Sequence, residues 1–103
     1  MKSSEFLKIH PLLADRVRLS IMTAVSTSGR PLTFTELIEM LELTRGNLSV
    51  HISKLENEKL IVVKKDFVDR KPCTTYVCSD FGRKEMKNYI QVVEQLIKKL
   101  KKG

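Results

Sequence analysis

Three residues, Glu42-Leu43-Thr44, are all that separate two stretches of helical period, and that spacing constrains the fold more than any other feature of the chain. Before the gap, Leu37, Ile38 and Leu41 make one apolar face. After it, Leu48, Ile52 and Leu55 recur at i, i+4 and i+7. Two short helices this close in sequence have the spacing of a helix-turn-helix. Thr35 reads as the N-cap of the first, with Glu36 and Glu39 near the positive end of its dipole, and Thr44 as the N-cap of the second.

The flanks complete the outline. Upstream, Leu13, Val17, Ile21, Ala24 and Val25 form the stripe of an amphipathic helix with Pro11 near its start, and Ser28-Gly29-Arg30-Pro31 ends it. Phe6, Leu7 and Ile9 suit a short helical turn, and Leu32-Thr33-Phe34 a stub of strand. Downstream, the β-branched run Leu60-Ile61-Val62-Val63 continues as Lys64-Lys65-Asp66. Asp69-Arg70-Lys71-Pro72 reads as a turn, and Thr74-Thr75-Tyr76-Val77-Cys78 returns as a second strand, giving a hairpin with a basic tip. Ser79 then caps a last helix from about Asp80 into the Lys-rich end. Along it Met86, Tyr89, Val93, Leu96 and Leu100 follow the 3–4 spacing of a heptad seam about two heptads long.

Helix, strand stub, helix, turn, helix, hairpin, helix is a winged helix-turn-helix: mainly α in the α+β class, with a C-terminal helix for dimerisation. At 103 residues the chain has room for one domain and no separate catalytic or ligand-binding domain. Residues 1–79 are the expected winged helix-turn-helix, with segment 1–11 assisting dimerisation. Residues 80–103 are the dimerisation helix, continuous with it.

Charge narrows the choice of partner. Of a formal +7, residues 64–103 carry +6 and residues 1–63 only +1. Positive charge gathered in one part suits a polyanion, whether nucleic acid or an anionic membrane surface, although a merely soluble basic protein has the same sum. No apolar run approaches the ~18 residues that would span a bilayer. Met1-Lys2-Ser3-Ser4-Glu5 lacks the apolar stretch of a secretory signal, so a cytoplasmic location is expected.

Several stretches resemble small winged-helix transcriptional regulators of the MarR/ArsR-like group. They are Arg18-Leu19-Ser20-Ile21-Met22, Phe34-Thr35-Glu36-Leu37, Lys54-Leu55-Glu56, Lys65-Asp66-Phe67, Arg70-Lys71-Pro72 and Ser79-Asp80-Phe81-Gly82-Arg83. The most specific piece is Leu43-Thr44-Arg45-Gly46-Asn47-Leu48-Ser49-Val50-His51, and the resemblance covers about residues 12–90. It implies double-stranded DNA binding as a homodimer that regulates transcription. One departure is visible: where the group usually has Gly after the recognition helix, this chain has Lys59.

At 100° per residue, Gly46, Val50, Ser53, Lys54 and Asn57 fall opposite the apolar face of the third helix, with Asn47 and Ser49 on its flanks. A small polar face with one Val suits the major groove, where Asn pairs with adenine and Val meets a thymine methyl. Thr44, Arg45, Gly46, Asn47, Ser49, Val50, Ser53 and Lys54 are therefore the candidate DNA contacts of a recognition helix over about 45–58; an ordinary solvated face is the alternative. Arg70 and Lys71, at the tip of a wing over about 61–78, are expected beside phosphate or in the minor groove. Lys64 and Lys65 fit that role and the guarding of an edge strand against aggregation equally well.

Other chemistry finds little equipment. Cys73 and Cys78, five apart on one strand, face opposite ways about 16 Å apart, too far to chelate one ion or to bridge on a straight strand. The Cys-rich pair of metal-sensing relatives is absent, so no metal and no cofactor are expected, and both cysteines read as small buried hydrophobes. His51 reads as a packing or hydrogen-bonding residue, His10 as one without a partner nearby in sequence, and Met22, Met40 and Met86 as core filler. With no paired nucleophile and base, the chain is not expected to be an enzyme. The competing function is a winged helix acting as a protein-interaction module in a larger complex.

Overall fold

Side-chain caps decide where each α-helix of this chain starts. The computed structural model describes residues 3–103; Met1 and Lys2 lie outside it, so the reading of Met1–Glu5 as no secretory signal falls partly on residues outside the described ones. Two 3-10 turns, Ser3–Lys8 and Pro11–Leu13, lead into α1, Arg16–Thr27. Pro11 thus opens a turn of its own and not the helix. The α-helix begins at Arg16 because Asp15 Oδ1 accepts the backbone N–H groups of Val17 and Arg18, both at 2.9 Å. The Arg18 N–H in particular holds the Asp15 carboxyl below the usual carboxylate range.

A two-residue strand, β1 (Leu32–Thr33), runs straight into α2 (Phe34–Leu41). The cap of α2 is Thr33, not the expected Thr35. Thr33 Oγ1 accepts from Glu36 N at 3.1 Å and Glu36 Oε1 accepts from Thr33 N at 3.0 Å. This reciprocal pair needs Glu three residues after the cap; three after Thr35 stands Ile38. Arg30 hydrogen-bonds Glu36 and draws its carboxyl down to about 2.

After Glu42, Leu43 and Thr44, α3 spans Arg45–Asn57 with Thr44 Oγ1 accepting from Asn47 N at 3.1 Å, as expected. Its end explains the departure at position 59. Lys59 adopts the left-handed conformation (φ 61°), its N–H donating to Glu56 O and that of Leu60 to Leu55 O, both at 2.9 Å. Those two bonds are a Schellman motif, so the lysine makes the turn that glycine makes more cheaply.

Strands β2 (Ile61–Val68) and β3 (Lys71–Cys78) pair antiparallel from Ile61↔Cys78 to Val68↔Lys71, and β1 pairs on the other side of β3 through Leu32↔Tyr76. The turn is shorter than expected. Only Asp69 (φ 52°) and Arg70 (φ 66°) lie between the strands, both left-handed, as the two-residue type I′ hairpin requires. Lys71 and Pro72 therefore belong to β3. Pro72 is tolerated because Phe67↔Pro72 follows the hydrogen-bonded pair at the turn, so its missing N–H faces the side that the short β1 does not reach.

Helix α4 (Asp80–Lys102) is capped by Ser79, whose Oγ accepts from Gly82 N at 2.8 Å. The Ser79 hydroxyl in turn donates toward the carbonyls of Lys59 and Leu60, tying the start of α4 to the end of α3. Leu13, Ile21, Met22, Leu32, Leu37, Leu48, Leu55 and Leu60 are fully buried between the helices and the sheet. Met86 joins this core as expected, but Met40 is 53% exposed and fills nothing. The fold is the winged helix-turn-helix read from the sequence. Among the described residues, no helix is long and apolar enough to cross a membrane.

Candidate nucleic-acid interface

Helix α3 has two contrasting sides. Leu48 and Leu55 are completely buried and Ile52 nearly so, which fixes the rotation of the helix. The opposite side carries Gly46, Val50, Ser53 and Lys54, with Thr44, Arg45, Asn47 and Ser49 around its first turn, and all eight are exposed. Val50 is a bare apolar side chain among polar ones, 55% exposed. At Gly46 a Cβ would meet nothing within 4 Å, so no close approach within the chain calls for glycine there.

Arg45 is held at its charged end. Its guanidinium lies 5.8 Å from the centre of the Phe34 ring, and Phe34 packs on the buried Tyr76 with ring centres 6.4 Å apart. Burial pushes the Tyr76 phenol up, with Glu56 adding to the effect. Nothing in the spacing of the sequence marks Phe34 for this role, because its partner stands eleven residues away across a turn.

The hairpin is a second prong. Arg70 sits in the two-residue turn and Lys71 opens β3, both exposed. Lys64 and Lys65 are exposed on β2 as well. Next to the tip, Phe67 and Val68 are 70% and 57% exposed, two apolar side chains that the sequence reading did not single out. The ten candidate DNA contacts are thus divided between one face of α3 and one hairpin tip.

The α4 seam divides as well. Met86 is buried in the core of its own chain and Tyr89 packs against it, while Val93 and Leu96 are half-buried and Leu100 is 70% exposed. Ile90 and Ile97, exposed at 49% and 45%, lie beside Val93 and Leu100 at the same 3–4 spacing and were missed for that reason. The N-terminal segment runs along this helix: Asn88 Nδ2 donates to Lys8 O at 3.2 Å, and the His10 and Phe81 rings meet edge-on at 5.9 Å. His10 also accepts the Leu12 N–H on Nδ1, a partner two residues away where none nearby in sequence was expected.

Cys73 and Cys78 are free thiols and half-buried, more open than the buried state expected of them. Cys78 packs on the core and its thiol points to Ser79 O at 3.4 Å. Among the described residues, no group of three or more His, Cys, Asp or Glu side chains is placed to hold a metal ion.

Residues 17–97 match the family described as winged helix DNA-binding domain. An uncharacterized protein of Methanocaldococcus jannaschii is 37% identical over 67 residues, which are 65% of this chain and 73% of its own. The solved structure of a transcriptional regulator homologue protein from Pyrococcus horikoshii superposes with a TM-score of 0.82 and 33% identity, over 94% of this chain and 97% of that one. A transcriptional regulator from Thermotoga maritima shares the fold, with a TM-score of 0.71 and 20% identity over 92% of this chain and 62% of its own.

Proposed function

The chain belongs to the winged helix DNA-binding domain family, and from that premise we propose that it binds double-stranded DNA sequence-specifically, as a homodimer, to regulate transcription. In this reading α3 enters the major groove and the β2–β3 hairpin lies on the backbone or in the minor groove. Thr44, Arg45, Gly46, Asn47, Ser49, Val50, Ser53 and Lys54 are the α3 contacts, and Arg70 and Lys71 the hairpin contacts. Residues 1–79 form the DNA-binding part. The part of α4 beyond Met86, with Tyr89, Val93, Leu96 and Leu100 joined by Ile90 and Ile97, meets the second copy, and segment 1–11 assists. Binding and regulation of this kind need no catalytic group or cofactor.

One observation carries the reading: on the same helix, a completely buried apolar side stands opposite an uncovered face of small and polar residues with one exposed Val. A helix that served packing alone has no use for Val50 in solvent, whereas a thymine methyl does.

The test begins with selection of a preferred site from random duplexes, followed by salt titrations on that site and on random DNA. Asn47→Ala is expected to cost about 1–3 kcal/mol on the preferred site and little on random DNA. Lys71→Ala is expected to weaken both about equally and to reduce the salt slope by about one unit. Equal losses for Asn47→Ala on the two duplexes would remove α3 as the reader. Binding that neither change affects would favour the protein-interaction module.

A further inference from the structure

His51 is a polar side chain of α3 that meets another helix, α1, and also borders the proposed DNA face. It is half-buried, one turn after Asn47 and one before Lys54. Against it lies Arg18 of α1, whose side chain is only 13% exposed. Arg18 donates from Nε to Leu12 O at 2.8 Å, lies 4.0 Å from Asp15 Oδ2, and brings Nη1 within 3.2 Å of His51 Nδ1.

A guanidinium has donors and no acceptor, and it keeps its proton in proteins, so this contact is a hydrogen bond only if Nδ1 is the acceptor. The imidazole is then neutral with its proton on Nε2, and the two ring nitrogens point apart. Among the described residues Nε2 has no hydrogen-bond partner, and the one buried side-chain polar atom left without a partner is Ser26 Oγ; Nε2 therefore opens to solvent. Position 51 stands about 100° around from Val50, toward the buried side. A residue there meets the wall of a groove and not its floor, which is where phosphates are.

We propose that His51 contacts DNA, its Nε2–H donating to a phosphate oxygen, and that Arg18 is the positioning residue that fixes its tautomer and ring. The inference rests on the reading of α3 as the DNA-facing helix and adds a contact of a different kind from the lysines. A neutral donor displaces no counterion, so its loss lowers affinity and leaves the salt slope as it was.

Two substitutions separate this role from packing. His51→Asn sets an amide oxygen near the place of Nδ1, so Arg18 keeps an acceptor and the outer donor is gone. His51→Gln sets an amide nitrogen near the place of Nε2 and restores that donor. His51→Asn is expected to lose about tenfold on the preferred and random duplexes alike, with an unchanged salt slope, and His51→Gln to stay within about threefold of wild type. On the wild-type protein, nitrogen NMR of the imidazole is expected to show the Nε2–H tautomer and a shift of that resonance when duplex is added; this readout holds even where a variant fails to fold. His51→Asn binding as tightly as wild type, a loss confined to the preferred duplex, or an Nδ1–H tautomer would overturn the assignment alone. Wild-type protein that binds neither duplex would overturn the DNA reading itself.

Discussion

Replacing Gly82 with Ala is expected to destabilise this protein, where the same change at Gly46 is not. A Cβ at position 82 would lie 2.1 Å from Leu60 O, 3.0 Å from Leu60 C and 3.0 Å from Met22 Cε. The first distance falls about 1.3 Å short of ordinary contact at 3.4 Å. Leu60 O is not free to withdraw, because it accepts from Ser79 N at 3.1 Å and from the Ser79 hydroxyl at 3.0 Å. Helix α4 has to move instead, which strains the Ser79 cap and lifts Met86 from the core. Overpacking against backbone costs about 3 kcal/mol and a weakened cap about 1, while the helix propensity of Ala returns about 1. The net of about 3 kcal/mol lowers Tm by roughly 12–24 °C for a domain of this size. Thermal melts followed by circular dichroism, at several protein concentrations because the proposed dimerisation would make Tm concentration-dependent, check this. Gly46→Ala is the internal control: with open space around its Cβ, it should be neutral or stabilising by up to about 1 kcal/mol. A Gly82→Ala protein melting within about 4 °C of wild type would refute the reasoning, since the close approach of α4 to Leu60 would then not be a real constraint.

Three further outcomes follow from the same structure. Val93→Asp with Leu96→Asp should yield monomers in analytical ultracentrifugation, and a wild type already monomeric at micromolar concentration would remove the α4 interface. Lys59→Gly should raise stability by about 0.5–1 kcal/mol in urea unfolding, because the left-handed turn after α3 strains any residue with a Cβ; no gain would mean that the lysine is unstrained there. The folded-state pKa of Glu36 lies below its ordinary value of 4.5, at about 2. Its contribution is therefore full above pH 4.5 and lost as pH falls through about 2, so the stability difference between wild type and Glu36→Gln should shrink over that window in a series of urea midpoints.

Much of the fold was legible in the chain because local chemistry set it. The Glu42–Thr44 gap, the N-caps Thr44 and Ser79 and the hairpin over 61–78 depend on neighbours within a few residues, and they stand where periodicity and capping chemistry put them. The start of α2 is legible locally as well, since Thr33-x-x-Glu36 is in the sequence and outranks Thr35. The start of α1 at Arg16 and the two-residue turn at Asp69-Arg70 are harder to read. Each depends on a choice between neighbouring geometries, and positive φ at Arg70 is one that an arginine seldom makes.

The sequence by itself determined the order of elements, the apolar stripe of each helix, and therefore which face of α3 is uncovered. That much follows from a 3.6-residue period acting on a one-dimensional pattern. Tertiary structure alone decided which side chains meet across elements. It buried Met86 and left Met40 in solvent, stacked Arg45 on Phe34, and brought Leu60 O so close to α4 that only Gly82 fits. It also turned His51 from a residue beside an apolar stripe into one whose ring is held by an arginine thirty-three positions away. Spacing along the chain carries no information about such pairs, because the distance between them is fixed by how whole helices and strands pack and not by the residues that lie between.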